Sequence, residues 1–223
     1  MLKIENIHKK YGKKPILNGI SFQAELGECV GIIGSNGCGK TTMLSILAGV
    51  LQAEAGEMWI DGKNVIGNRK YLAQKVAYVP QENPLIPELS ALDNYRLWFN
   101  GNKKDMEYDL KHGVGKILDI EAFLKIPAGK LSGGQKKRLS IASALSNKAE
   151  ILIMDEPGAA LDLIAKQEII NFIKEHMSGG GMVIMTSHEI AELEVCTKLY
   201  IMKQGKLLEV NRHMAIDELI KQF

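Results

Sequence analysis

The chain has 223 residues, 46% of them hydrophobic, and its 28 lysines and arginines against 26 acidic residues leave a net charge of +2. That length suffices for one domain with a sizeable core, and the near-neutral charge gives no electrostatic reason to expect nucleic acid as a partner. The short basic runs at 9–14 and 136–138 are expected to lie on a solvated face.

The three cysteines, Cys29, Cys38 and Cys196, have no paired or metal-like spacing, which favours a reducing compartment. The N-terminus lacks the apolar region of a secretory signal. No apolar run approaches the ~20 residues that a membrane span needs. We therefore expect a cytosolic chain.

In chain order, segments 3–12 and 16–28 predict short strands of an antiparallel unit. Further on, short runs that are apolar on both faces alternate with segments of helical periodicity, such as 41–51 and 163–177. This alternation predicts an α/β fold with a mostly parallel sheet behind an N-terminal antiparallel β subdomain. The predicted central strands are CVGII at 29–33, VAYV at 76–79, ILIM at 151–154, MVIM at 182–185 and LYIM at 199–202.

One segment departs from the alternation. Residues from about 84 to 147 carry few strand signals and are mostly amphipathic helix, as at 105–124. We predict a helical subdomain inserted into a single domain that spans 1–223. Two short strands and the helix-like AIDELIKQF at 215–223 are expected at the end of the chain.

GSNGCGKTT at 34–42 matches G-x-x-x-x-G-K-[ST] between a predicted strand and a predicted helix. Its glycines let successive N–H groups point at phosphate oxygens, and the helix N-terminus adds partial positive charge. We predict a nucleoside triphosphate site, with Lys40 at the β- and γ-phosphates, Thr41 on Mg²⁺ and Thr42 on the α-phosphate side. The loop residues predicted to bind the nucleotide are Gly34, Ser35, Asn36, Gly37, Cys38, Gly39, Lys40, Thr41 and Thr42.

Asp155 and Glu156 follow the apolar run that ends at 154. In phosphate-loop NTPases an acidic residue at this place binds Mg²⁺ through water, which Asp155 is predicted to do. Glu156 is placed to polarise an attacking water. The alternative for Glu156 is a cap or a dipole partner of the next helix.

LSGGQKKRLSIASAL at 131–145 resembles the signature of ATP-binding cassette (ABC) ATPases. The resemblance covers nearly the whole chain and implies an ABC cassette that hydrolyses ATP with Mg²⁺ as cofactor. In the family's order, the other matching elements are Tyr11 (A-loop), 34–42 (Walker A), Gln81 (Q-loop), ILIMDE at 151–156 (Walker B), Leu161-Asp162 (D-loop) and His188 (switch).

The resemblance also implies residue roles. Tyr11 would stack on adenine, Gln81 would sense Mg²⁺ and the attacking water, and His188 would contact the γ-phosphate. Asp162 would position the catalytic loops across a dimer. Glu156, Gln81 and His188 are thus the predicted catalytic residues; the alternatives are a half-buried strand aromatic for Tyr11, an ordinary loop glutamine and a structural histidine.

Ser132, Gly133 and Gly134 open a helix and so form a second anion-binding terminus. In the family this signature, which includes Gln135, faces the nucleotide of the opposite subunit. We therefore expect a second cassette as a partner, in a homodimer or a heterodimer that closes on ATP.

Two positions depart from the family pattern. Gly158-Ala159-Ala160 replaces the usual hydroxyl or amide side chains, which leaves cross-dimer hydrogen bonds there open. Cys38 stands where alanine or serine is usual. A thiol at a helix N-terminus should react readily, so we predict that maleimide inactivates the free enzyme and that Mg-ATP protects it.

Two classes of ABC protein remain. As the energy-coupling subunit of a transporter, the chain would sit at the cytosolic face of the membrane against permease subunits on separate chains. As a soluble ATPase it would act on DNA, ribosomes or cluster assembly, but it has no heptad run and no basic excess. We predict a transporter subunit, and candidate apolar residues for docking the permease are Leu85, Ile86, Leu89 and Trp98.

The length of the chain after His188 bears on the direction of transport. After His188 only 35 residues follow (223 minus 188). So short a C-terminal part leans toward a small exporter, although many importers are equally short. The transported substrate is read by the membrane partner and is not encoded here.

Overall fold

The computed structural model describes residues 1–99 and 101–210, so the predicted helix at 215–223 lies outside the described residues. Two sheets are formed in the described part of the chain, one of four strands and one of six. Their strands are β1 Leu2–Tyr11, β2 Lys14–Ala24, β3 Cys29–Ile33, β4 Ala55–Ile60, β5 Lys63–Asn64, β6 Val76–Val79, β7 Ile151–Asp155, β8 Met182–Thr186, β9 Lys198–Lys203 and β10 Lys206–Val210.

The four-stranded sheet has the order β2-β1-β4-β5, and every neighbouring pair is antiparallel. β1 and β2 pair from Leu2 opposite Ala24 to Tyr11 opposite Lys14. The predicted antiparallel unit at the N-terminus is therefore confirmed. Its sheet also contains β4 and β5, which follow the phosphate loop in sequence.

The six-stranded sheet has the order β10-β9-β3-β8-β7-β6. From β9 to β6 all neighbours are parallel, and only β10 runs antiparallel, against β9. The five predicted central strands all coincide with strands of this sheet, so the predicted mostly parallel sheet is confirmed.

Parallel strands place their carboxyl ends at the same edge of a sheet. In this sheet β3, β6, β7 and β8 therefore deliver the residues that follow them to one edge. These residues are the phosphate loop at 34–39, Pro80-Gln81, Glu156 and Ser187-His188. The topology thus brings together motifs that are up to 154 residues apart in sequence (188 minus 34).

Eight α-helices are defined in the described residues. They are α1 Lys40–Leu47, α2 Arg69–Lys75, α3 Ala91–Trp98, α4 Lys103–His112, α5 Val114–Ile117, α6 Gly133–Leu145, α7 Leu163–Ser178 and α8 Ile190–Leu193. None of those between residues 1 and 210, residue 100 aside, has both the length and the apolar content needed to cross a bilayer.

The segment at 84–147 holds α3 to α6 and two short 3-10 helices, with no extended strand among its described residues. The predicted helix at 105–124 is interrupted at Gly113, where α4 ends. The carboxylate of Asp109 accepts hydrogen bonds from the N–H groups of Val114 and Gly115, which starts α5 in a new direction. The bounds of the inserted subdomain stay a prediction.

The core lies on the two faces of the six-stranded sheet. Within β7, Leu152 and Met154 pack toward α3, α6 and α7. The alternate residues Ile151 and Ile153 pack toward α1 and the four-stranded sheet. Because both faces are covered, the central strands β3, β7 and β8 are apolar in nearly uninterrupted runs, and their polar residues Asp155 and Thr186 stand only at the strand ends.

The expectation of a solvated face at 136–138 is wrong for Lys137, whose side chain is 2% exposed. Arg138 is also largely covered, at 16% of its side chain. The run lies in the middle of α6, whose residues face the core on more than one side, and so the helix packing buries a charge that sequence pattern places in solvent.

Candidate active site

A cavity of about 450 Å³ opens where β3 passes through the phosphate loop into α1. It joins residues from four parts of the chain. The lining residues are Tyr11, Ile16, Asn36, Gly37, Gly39, Lys40, Thr41, Thr42, Gln81 and Glu156.

The loop conformation depends on its glycines. Gly37 and Gly39 have φ angles of 77° and 114°, which side chains rarely adopt. A Cβ atom on Gly34 would lie 2.7 Å from the Cys38 Sγ and 2.8 Å from the Met202 carbonyl oxygen, so this position has no room for a side chain. The half-buried Cys38 is thus packed against the start of the loop.

Lys40 is buried, with 6% of its side chain exposed, at the first residue of α1. Its Nζ donates to the Gly34 carbonyl at 2.6 Å. The same atom lies 3.3 Å from the His188 Nε2 and 3.9 Å from the Glu156 Oε1. The ammonium group therefore stands between the loop backbone and the polar residues of the neighbouring strands.

Thr41 contacts Asp155 directly, as expected for two residues predicted to share a metal ion. The Thr41 hydroxyl donates to Asp155 Oδ2 at 2.6 Å, and the Thr186 hydroxyl donates to Asp155 Oδ1 at 2.6 Å. The carboxylate is 2% exposed, so hydrogen bonds from two hydroxyls offset its loss of hydration. Thr186 was missed by sequence reasoning; the signal was its position at a strand end beside His188.

The three predicted catalytic side chains lie together, with Gln81 and His188 on either oxygen of the Glu156 carboxylate. Its Oε2 accepts a hydrogen bond from the Gln81 Nε2 at 3.1 Å, and its Oε1 lies 3.5 Å from the His188 Nε2. Its backbone has a φ of 46°, a left-handed conformation, and its N–H donates to the Thr186 hydroxyl. The sharp turn after β7 therefore directs the carboxylate toward the phosphate loop rather than along the strand.

The alternative in which Glu156 caps the next helix does not hold. α7 begins at Leu163, and its cap is Asp162, whose carboxylate accepts from the Ala165 N–H at 2.8 Å. The capping need of α7 is met there.

Tyr11 is at the open end of the cavity. Its side chain is 54% exposed, which excludes the half-buried alternative, and the Lys9 Nζ lies 5.8 Å from its ring centroid. Together with Ile16 it supplies the apolar part of the cavity wall, opposite the polar loop.

The signature residues do not line this cavity. Ser132 caps α6, since its Oγ accepts from the Gln135 N–H at 3.2 Å while the Gln135 side chain accepts from the Ser132 N–H at 2.9 Å. A Cβ atom on Gly134 would lie 2.6 Å from that of Ala165, so the start of α6 packs closely on the start of α7. The cap residue Asp162 is beside the signature, not beside the cavity.

The departure at Gly158 has a structural reason. A Cβ atom at this position would collide with the carboxyl group of Glu192, a residue that is 1% exposed. The hydroxyl or amide residue usual in the family therefore has no space here. Glu192 Oε2 in turn accepts a hydrogen bond from the hydroxyl of Ser187, the neighbour of His188.

The oxygen donors at the site suit magnesium. The Thr41 hydroxyl, the Asp155 carboxylate and the Gln81 amide are all hard ligands of the kind that Mg²⁺ prefers. No cluster of three or more His, Cys, Asp or Glu side chains capable of holding a metal is present in residues 1–99 and 101–210.

Comparison with known proteins points in one direction. Residues 17–159 match a family model described as ABC transporter. The chain is 37% identical to the linearmycin resistance ATP-binding protein of Bacillus subtilis (strain 168), over 94% of this chain and 68% of that protein. It is 32% identical to the Nod factor export ATP-binding protein I of Burkholderia orbicola (strain AU 1054), over 95% of this chain and 71% of that protein.

Solved structures agree. A nucleotide-free ATP-binding cassette of an ABC transporter superposes with a TM-score of 0.87 at 25% identity, covering 99% of this chain and 95% of the other. A cassette solved as a dimer, in a post-hydrolysis state with ADP and Pi, gives a TM-score of 0.82 at 28% identity, over 96% of this chain and all of the other.

Proposed function

The chain belongs to the ABC transporter family as an ATP-hydrolysing subunit, and from this membership we propose the role of each residue at its site. The prediction of a transporter ATPase is thereby confirmed over that of a soluble ABC protein. One observation carries the assignment of roles, namely the meeting of Gln81 and His188 at the Glu156 carboxylate beside Lys40.

ATP would bind with its triphosphate in the loop at 34–39. The N–H groups at the start of α1 and the Lys40 ammonium would neutralise the β- and γ-phosphates. Adenine would lie on the exposed Tyr11 ring, at the end of the cavity where the wall is apolar. Thr42, which also lines the cavity, would contact the α-phosphate.

Mg²⁺ would be held by Thr41, Gln81 and Asp155, and it would supply charge neutralisation between the β- and γ-phosphates. The contact of Thr41 with Asp155 sets these two oxygen donors side by side. The second hydroxyl on Asp155, that of Thr186, fixes the orientation of the carboxylate. This chain thus prepares the position of the ion through hydrogen bonds between its own residues.

Glu156 would polarise the water that attacks the γ-phosphate. Gln81 and His188 would hold the carboxylate and the water in line with the γ-phosphate, since their side-chain nitrogens lie 3.1 Å and 3.5 Å from the Glu156 carboxylate oxygens. Hydrolysis leaves negative charge on both ADP and phosphate. The resulting repulsion between the products would favour opening of the dimer of cassettes.

The test of these roles is the Glu156→Gln variant. Because glutamine keeps the shape but not the charge, hydrolysis is expected to fall by about 10²- to 10⁴-fold while the binding of a fluorescent ATP analogue persists. Glu189→Gln is the matched control, since Glu189 lies next to His188 but pairs with Lys166 on the surface. Glu156→Gln with unchanged hydrolysis would remove Glu156 from the base role.

We propose export as the direction of transport, with permease subunits on separate chains and this chain at the cytosolic face. The names of two relatives support export: one is named for linearmycin resistance and the other for Nod factor export. Of the candidate docking residues, Ile86 and Trp98 are 44% and 54% exposed. Leu85 and Leu89 are half-buried, and Leu85 packs against the core.

An affinity pull-down of the tagged chain from mild-detergent membranes of its own host tests the partner. A polytopic membrane protein in stoichiometric amount is the expected result, and Ile86→Asp with Trp98→Asp should reduce its recovery. Recovery of the chain only with soluble partners would contradict the proposed permease.

A further inference from the structure

A buried lysine connects the signature helix to the loop that carries Gln81. Lys137 is the fifth residue of α6 and is 2% exposed. Its Nζ donates to the backbone carbonyls of Pro80 at 3.3 Å and Gln81 at 3.2 Å. A buried ammonium group is costly unless it is hydrogen-bonded, so these two carbonyls are what hold it in place.

Two carboxylates favour the charged form of this ammonium group. Burial lowers the pKa of Lys137 to about 8, while the carboxylates of Asp155 and Glu192 act in the opposite sense. Asp155 accepts a hydrogen bond from the Thr41 hydroxyl, and Glu192 accepts one from the Ser187 hydroxyl.

The same loop delivers the Gln81 side chain to Glu156, with its Nε2 3.1 Å from Oε2. The position of the Gln81 backbone therefore sets the approach of its amide. In the other direction, residue 137 is five residues beyond the Ser132 cap, or about 7.5 Å along a rigid helix. A displacement of the α6 N-terminus is thus carried directly to the Lys137 Nζ.

We propose that Lys137 is a positioning residue that holds the backbone of Pro80-Gln81 and so couples the signature helix to the approach of Gln81 to Glu156. The inference rests on the catalytic roles proposed above for these two residues. Lys137 itself touches neither the nucleotide cavity nor Glu156; its effect on hydrolysis passes through Gln81.

The experiment is a double-mutant cycle on Mg-ATP hydrolysis. Lys137→Met keeps the length of the side chain and removes its donors, so kcat is expected to fall by about 10- to 100-fold, as for a misplaced catalytic group, with KM for ATP changed by less than about threefold. Lys137→Arg, which keeps the donors, should restore part of kcat. In the Gln81→Ala background, Lys137→Met should lower kcat by less than about twofold further, because the group it positions is already missing.

Ser140→Ala is the matched control. Ser140 is in the same helix and 4% exposed, so its substitution reports on packing of α6 without contacting the Pro80-Gln81 carbonyls. It should leave kcat unchanged. Thermal midpoints of all variants establish that they are folded, and if Lys137→Met unfolds, Lys137→Leu, which also lacks a donor, replaces it in the cycle.

Two failures are distinguishable. If Gln81→Ala lowers kcat and the Lys137→Met loss multiplies with it, Lys137 acts independently of Gln81 and the positioning role is overturned. If Gln81→Ala alone retains wild-type kcat, the proposed catalytic role of Gln81 is wrong, and the inference for Lys137 falls with it.

Discussion

Glu192 is a buried carboxyl group that belongs to none of the sequence motifs. It is 1% exposed in α8, and its carboxyl group accepts from the Ser187 hydroxyl while occupying the space beside Gly158. Burial raises the pKa of Glu192, and the neighbouring Glu189 raises it further, against the Ser187 hydrogen bond and Lys166. Lys137 faces it from α6.

The sign of the resulting pH dependence follows from proton linkage. The folded protein binds the Glu192 proton more tightly than the unfolded chain does, so this group's contribution to stability declines as pH rises from the usual pKa of 4.5 through the raised value. Glu192→Gln removes that titration and keeps the shape. The difference in thermal midpoint, wild type minus variant, is therefore expected to decrease as pH rises from about 4.5.

Differential scanning calorimetry at a series of pH values upward from about 4.5 measures this difference in thermal midpoint. Glu121→Gln, a change of an exposed carboxyl on a 3-10 helix, is the control for the loss of one charge. A difference that increases with pH for Glu192→Gln would contradict burial as the dominant influence on this carboxyl.

At the scale of elements, one carboxylate ties three helices of the segment at 84–147 together. Asp109 in α4 accepts from the hydroxyl of Tyr95 in α3 at 2.5 Å and from the N–H groups of Val114 and Gly115 in α5. Tyr95 is fully buried, and burial raises the pKa of its hydroxyl, so it stays a donor at all ordinary pH values. The helices of this segment are therefore held by a polar contact as well as by packing.

Tyr95→Phe removes the donor without opening a cavity. The free energy of unfolding should fall by about 1.5–3 kcal/mol, the range typical of a hydrogen bond to a charged group. Urea denaturation measures this change, with an unchanged slope expected. Tyr108→Phe, at a residue that is 68% exposed in α4, should have almost no effect, and equal effects of the two substitutions would contradict a role for the buried hydroxyl.

The elements differ in how far the sequence determines them. All five central strands were predictable because burial on both faces of a parallel sheet demands uninterrupted apolar runs such as 151–154. The helix at 105–124 was predicted without its break, because that break depends on the Asp109 side chain capturing two N–H groups beyond Gly113. Periodicity carries no information about such a contact.

The same distinction holds at the site. The loop at 34–42 is a local motif, so its residues could be assigned from spacing alone. Lys137 and Glu192 could not, since each reaches the site only through helix packing. Thr186 is signalled by its position at a strand end, but its contact with Asp155 depends on the pairing of β7 with β8. From the sequence pattern alone, Lys137 is expected in solvent; only the packing of α6 against the core buries it.

At the scale of the whole molecule, two anion-binding termini of one chain are separated. The phosphate loop lines the cavity, whereas the cap at Ser132 and the Gln135 that it pairs with do not. The first turn of α6 keeps N–H groups that its own helix cannot satisfy, and its dipole favours a negative partner. In a dimer related by a two-fold axis, the α6 N-terminus of each cassette would face the γ-phosphate bound by the other, which gives two equivalent contacts.

This arrangement predicts dimerisation that depends on ATP. Glu156→Gln, which is expected to retain ATP, should elute at twice the monomer mass in Mg-ATP and at the monomer mass in Mg-ADP, as measured by size exclusion with light scattering. Adding Ser132→Asp should abolish the dimer, because aspartate still caps α6 but places a negative charge against the γ-phosphate. A dimer that persists with Ser132→Asp would exclude the signature from the interface, whereas a monomer under every condition would contradict a homodimer and require a different cassette as the partner.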